Sequence, residues 1–196
     1  MKKSSLRLFG LLIFFFTSCG QDQEKLLSKI PDPKTLNESY VSNPDHILTA
    51  ETVAELNSKL RVLDQAGTAH IDVVFVKSIG DLVPKDVAHE LFNTWKIGSK
   101  ETNNGLLMLI VEDQKRIDFE TGFGLEGILP DVICYRIQQK YMIPYAKQND
   151  FNGAVKSGVD AVIAHLRNEG AESPVAADTA QYALTDTSSL SVVPES

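Results

Sequence analysis

Two short apolar runs constrain this chain more than anything else in it. Ile71-Asp-Val-Val-Phe-Val76 and Leu106-Leu-Met-Leu-Ile-Val111 are nearly free of polar breaks. Apolar runs of that length, bounded by polar and turn residues, read as strands buried on both faces. Strands of that kind need helices above and below the sheet. The segment between them supplies one. Pro84 opens a helical pattern that places Val87, Leu91 and Trp95 on one face, and Gly98 closes it. A strand–helix–strand unit strongly favours a right-handed parallel crossover.

The remaining periods complete the pattern. Thr49 caps a helix with Glu51 in its first turn and Val53, Leu56, Leu60 and Leu63 inward, and Gly67 stops it. Glu112 to Lys115 is a polar turn, and Arg116 to Thr121 alternates as a third strand, paired antiparallel through a short hairpin. Asp131 opens a helix through Ile133, Ile137 and Tyr141 that should end before Pro144. Asp150 caps a last helix with Phe151, Val155, Val159, Val162 and Leu166 inward. The expected order is α-β-α-β-β-α-α. The expected fold class is α/β: a three-layer α/β/α sandwich whose small mixed β-sheet is covered by helices on both faces. Trp95 is expected in the core, with a binding groove as the alternative.

The ends of the chain read differently. Lys2, Lys3 and Arg7 precede an apolar run, Leu8 to Phe16, broken only by Gly10. It is too short to span a bilayer and has the dimensions of a secretory leader. Thr17-Ser-Cys-Gly20 follows it. Small residues before a cysteine resemble a bacterial lipobox, so residues 1–18 are expected to be a lipoprotein signal peptide and Cys19 the lipid-attachment residue. The alternative is an ordinary signal peptide cleaved near a cysteine. Palmitate-like acyl chains would anchor the chain, at about 0.8 kcal/mol per buried methylene. Residues 19–40 are polar, with Pro31 and Pro33, and read as a lipidated tether. Residues 170–196 have no Lys or Arg and read as a disordered acidic tail. The domain is expected over 41–169. The expected location is the cell envelope, lipid-anchored on the periplasmic side or the outer-membrane surface. The stretch Gly20-Gln-Asp-Gln-Glu24 resembles surface-export signals of some lipoproteins.

Charge narrows the function. The 196-residue chain has 19 Lys+Arg against 26 Asp+Glu, a net −7. Removing the leader takes away three bases and no acid, leaving a net −10. Nucleic-acid binding needs clustered Lys and Arg, which argues against it as a partner. Gly122, Gly124 and Gly127 spell G-x-G-x-x-G, but they follow a hairpin strand and flank Glu126, so no nucleotide is expected. His89-Glu90 begins like a zinc-protease helix, but Asn93 stands where the second histidine belongs. His46, His70, His89 and His165 show no ligand spacing. Cys134 lies among apolar residues and reads as a small buried side chain.

What remains is an acidic, glycine-bearing loop. Thr121-Gly-Phe-Gly-Leu-Glu-Gly-Ile-Leu-Pro-Asp131 sets Glu126 and Asp131 in one segment leading into a helix. Two carboxylates with carbonyls between them suit a hard divalent cation such as calcium. The alternative is structural: Asp131 capping its helix and Glu126 solvated.

Several fragments together resemble the TPM domain. They include Val41-Ser-Asn-Pro-Asp-His-Ile-Leu-Thr49, Leu91-Phe-Asn-Thr-Trp-Lys-Ile-Gly98 and Asn103-Asn-Gly-Leu-Leu-Met-Leu-Ile110. Arg116-Ile-Asp-Phe-Glu-Thr-Gly-Phe-Gly-Leu-Glu-Gly127 and Leu129-Pro-Asp131 follow in the family's order. The resemblance covers 41 to 169. It implies an α/β/α sandwich in an extracytoplasmic, membrane-tethered module. Family members have been linked to divalent-cation binding, weak acid phosphatase activity and the upkeep of membrane complexes. The chain departs from the pattern at Asn43, where the family commonly has Asp, and at Asp45, where it has a small residue. Topology suggests two candidate metal sites. Asn104, Glu126 and Asp131 would share one edge; Asn43, Asp45 and the hairpin residue Asp113 would lie near the C-terminal end of the first strand. The expected function is an accessory module binding a divalent cation and assisting an envelope protein complex. A metal-dependent acid phosphatase is the alternative.

Overall fold

In the computed structural model, residues 26–37 and 39–167 are described. After a 3₁₀ turn at Pro33–Thr35 come β1 (Val41–Ser42), α1 (Ala50–Gln65), β2 (His70–Val76), α2 (Pro84–Trp95), β3 (Gly105–Val111) and β4 (Arg116–Thr121). Then follow α3 (Asp131–Ile137), a π-helical turn (Gln138–Met142), α4 (Ile143–Ala146) and α5 (Phe151–Leu166). The four strands lie in the order β1-β2-β3-β4. The pairs β1–β2 and β2–β3 are parallel, and β3–β4 is antiparallel.

The sheet is covered on both faces, as the two apolar runs require. Ile71, Val73 and Phe75 of β2, with Leu106, Met108 and Ile110 of β3, join Leu56, Leu60 and Leu63 of α1 and Val155, Val159 and Val162 of α5 in one core. The alternate residues Val74, Val76, Leu107, Leu109 and Val111 face Val87, Ala88 and Leu91 of α2 in a second core. Trp95 packs against this second core as a partly buried side chain. The period of two in the strands thus separates two cores.

Local signals fix the helix ends. The Thr49 hydroxyl accepts from Thr52 N at the start of α1. At its end Gly67, with φ 69°, donates to Asp64 O while Thr68 N donates to Leu63 O. That pair of bonds is a Schellman closure, and the left-handed residue is a glycine.

Four local expectations change. The short strand β1 was not foreseen; Val41 and Ser42 pair with Val73 and Val74. Two residues carry no measurable period, so only the pairing defines the strand. Helix α2 ends at Trp95, and its left-handed cap is Lys96, φ 53°, rather than Gly98. Lys34 Nζ donates to the Trp95 and Lys96 carbonyls at 3.1 and 3.3 Å, satisfying the open end and placing a cation at the helix C-terminus. Gly98 serves instead a close approach: a Cβ there would lie 2.5 Å from Gly105 N. The helix expected to stop before Pro144 continues past it. Ile143 N bonds to Gln138 O, a π-type turn, and Pro144 falls in the first turn of the next α segment. There its missing N–H costs nothing. Finally, packing begins before residue 41. Leu26 and Leu27 lie against the second core and Ile30 is 6% exposed, so the stretch expected as a tether overlaps the folded unit.

This last finding gives a test. Ile30→Ala removes a buried side chain and should lower unfolding free energy by about 2–5 kcal/mol, read by urea denaturation. No change would mean that the segment does not pack in solution.

Candidate functional site

The second-core helix α2 buries one stripe and leaves another facing the sheet edge. Asp86, His89 and Glu90 recur at helical spacing on that polar side, next to Lys85. Strand β4 runs alongside. Its Ile117 and Phe119 pack on the first core. Alternation therefore turns Asp118 and Glu120 toward α2, opposite Leu109 and Leu107 of the second core. His89 Nδ1 and Glu120 Oε1 meet at 2.8 Å. The loop after β4 then brings Glu126 and Asp131 to the same place.

These groups form an open cleft of about 390 Å³ along the free side of β4. Phe119, Glu120 and Thr121 of the strand, Lys85, Asp86, His89 and Glu90 of α2, and Glu126 and Asp131 line it. Five of the lining side chains are carboxylates and one is a lysine. The field inside is therefore strongly negative and favours cationic ligands.

The loop's glycines have a packing role. A Cβ on Gly122 would collide with the Asn103 carbonyl, and one on Gly124 with that of Thr102. Gly124 N also donates to Asn103 O. The glycine pattern is a backbone-on-backbone contact that fixes how the Glu126 loop leaves β4.

The other candidate residues lie elsewhere. Asn104 does not line the cleft; its Oδ1 accepts from Ser99 N and its Nδ2 donates to Gly67 O. Asn43 Oδ1 accepts from Ile47 N and Leu48 N, and its Nδ2 donates to Leu48 O. Asp45 Oδ2 accepts from Lys77 N at 2.7 Å, and Asp113 N donates to Lys77 O. Asp45, through its carboxylate, and Asp113, through its backbone, thus both bond to Lys77 just past the end of β2, and neither lines the cleft, while the Asn43 side chain is spent on its own turn. Cys134 is buried, and burial followed by the nearby Asp131 charge pushes its thiol up to about 12. It is no nucleophile at neutral pH. Cys19 lies outside the described residues.

A second polar cluster is internal. Tyr40 OH donates to Asp64 Oδ2 at 2.9 Å. His70 Nδ1 lies 3.1 Å from Asp64 Oδ1, and its Nε2 lies 3.2 Å from Asp72 Oδ1. Both Asp72 oxygens are buried, and among the described residues His70 is the partner that reaches them. Burial works against a charged His70, but Asp72 and Asp64 outweigh it and raise the imidazole. Burial raises the Asp72 carboxyl, with His70 opposing.

Asp72 was visible in the sequence as the polar member of an apolar run. His70, two residues before it on the same strand face, carried the signal of alternation; Asp64, on α1, carried none. In the cleft, Asp86 and the failed motif His89-Glu90 carried a signal, their shared helical face. Glu120 carried another, its alternation with Phe119.

The His70 cluster sets a pH dependence. An imidazole raised in the folded state stabilises the fold fully below its unfolded value of 6.5 and loses that contribution as pH rises through the folded value. Asp72, also raised, contributes in the same direction at lower pH. Unfolding free energy should therefore fall as pH rises above 6.5, the unfolded value of the imidazole, and His70→Asn should flatten the slope. Equal slopes in both proteins would remove His70 as the cause.

The chain's likenesses agree with this architecture. A family model, described as the TPM domain, matches residues 41–165. The solution structure of the N-terminal domain of a P. gingivalis protein is 32% identical, with a TM-score of 0.68, covering 73% of this chain and 92% of that one. The BA42 protein of the psychrophilic bacterium Bizionia argentinensis is 19% identical, with a TM-score of 0.54. It covers 62% of this chain and 82% of that one, and shares the fold. No curated protein matches. The mixed sheet between helical layers, the ordered motifs and the family match over most of the domain agree, and this chain belongs to the TPM domain family.

Proposed function

We propose that the chain is a lipid-tethered accessory domain of the cell envelope whose binding site is the acidic cleft beside β4. A divalent cation such as calcium is one ligand of that cleft, and an envelope protein complex is what the domain assists. One observation carries the reading: Asp86, Glu90, Glu120, Glu126 and Asp131 come from three separate parts of the chain to one cleft with a single lysine. Membership of the TPM family supports an accessory or phosphatase-like domain. The tether would be acyl chains on Cys19, and no helix among the described residues is long and apolar enough to cross a membrane.

The donor chemistry fits a hard cation, since carboxylate oxygens are what calcium takes. Among the described residues, no three His, Cys, Asp or Glu side chains already converge as a ligand set. A cation here would keep much of its water. Its affinity belongs at the weak end, about 10⁻⁴–10⁻³ M, as in extracellular calcium modules.

The phosphatase reading has one observation in its favour. Glu120 orients His89 in the same cleft, as a general acid–base needs. Against it, five carboxylates face an incoming phosphate with only Lys85 to neutralise it.

Calorimetry separates the two readings. Calcium should bind the wild type, and Glu126→Gln or Asp131→Asn should each weaken binding about tenfold, while Asp45→Asn leaves it unchanged. Affinity indifferent to Glu126 and Asp131 contradicts the cleft as the cation site. An aryl-phosphate hydrolysis rate lowered by both substitutions would favour the enzyme; equal rates favour the accessory module.

A further inference from the structure

The cleft is bordered by the open edge of the sheet. Among the described residues strand β4 pairs with β3 alone, and Gly122 N donates to Gly105 O in that register. In an antiparallel ladder, bonded and non-bonded pairs alternate. Counting from Gly122, residues 116, 118 and 120 bond inward to β3. The N–H and C=O groups of Ile117, Phe119 and Thr121 therefore point away from the sheet. Two of these three, Phe119 and Thr121, also line the acidic cleft. Phe123, 80% exposed, follows directly.

We propose that an extended, basic peptide segment of a partner protein adds to the sheet as a fifth strand along β4, with Lys or Arg at alternate positions reaching into the cleft. This rests on the accessory-module reading above and names the chemistry of its partner. Outward backbone groups would give register and affinity, and side chains falling on one face would give specificity. On the α2 side those side chains meet Glu120, Glu126, Asp131 and Glu90, so alternate positive charges suit them. Charge also selects among occupants. The chain's own residues 168–196 contain five acids and no Lys or Arg, and would be repelled. A second copy pairing through β4 would set one acidic cleft against another. Charged residues on an edge strand commonly block unwanted pairing. Here the same charges reject apolar and acidic strands and admit a basic one.

The test uses three eight-residue peptides of alternating sequence: Lys-Val, Glu-Val, and Lys-Val with its amides N-methylated on the face that would pair. Amide exchange and backbone NMR of the purified protein are the readouts. The Lys-Val peptide should bind and slow amide exchange at Ile117, Phe119 and Thr121 at least about tenfold, because those N–H groups gain acceptors. The Glu-Val peptide should not bind, and methylation should abolish the protection. Glu120→Lys should weaken the Lys-Val peptide about tenfold or more, with an unchanged fold by NMR. Calcium should compete with the peptide. Equal binding of the methylated peptide, or binding without protection on β4, overturns strand addition. Absence of peptide binding alongside calcium binding at Glu126 overturns this inference and leaves the accessory reading standing. If neither binds, both fall. A concentration-dependent dimer with β4 protected would assign the edge to self-association and overturn the proposal.

Discussion

All seven residues of β3 are buried, and most of the architecture follows from that burial. A strand dry on both faces must have a packed layer above and below, and neighbours on both sides for its backbone. The parallel neighbour β2 satisfies one side, reached through α2. The antiparallel β4, joined by a short turn, satisfies the other. Alternate side chains of β2 and β3 feed two separate cores, one beneath α1 and α5 and one beneath α2.

The same constraint places the cleft. Since α2 must lie over β3 to cover Leu107 and Leu109, its far side overhangs β4, the last strand of the sheet. There the helix faces Glu120 and not an apolar neighbour. Backbone contact at Gly122 and Gly124 then directs the following loop so that Glu126 and Asp131 reach the overhang. Charged groups gather where the core ends, and nothing in the cleft must be sacrificed to keep the sheet packed.

The fold was largely readable because its signals are local and periodic. The β2 and β3 runs, the caps at Thr49 and Asp150, and Pro84 at the start of α2 each act within a few residues. What escaped was set by partners distant in sequence. Strand β1 exists through Val73 and Val74, and Lys96 holds its left-handed turn beside carbonyls met by Lys34. The loop carboxylates Glu126 and Asp131 stood out in sequence, but Glu120 and His89, 31 residues apart, meet only across a helix–strand contact. His70 and Asp72 stand two apart on one face of β2, so that contact is local; Asp64, which joins them from α1, was hidden for the same reason.

The central claim is that this domain binds through the β4 cleft and not through the opposite cluster at Asp45 and Asp113. A backbone amide shift map during calcium titration decides between them most directly. The account predicts the largest shifts at Glu120, Glu126 and Asp131, with His89 moving alongside. Shifts centred on Asp45, Lys77 and Asp113, with the β4 loop unmoved, would contradict it.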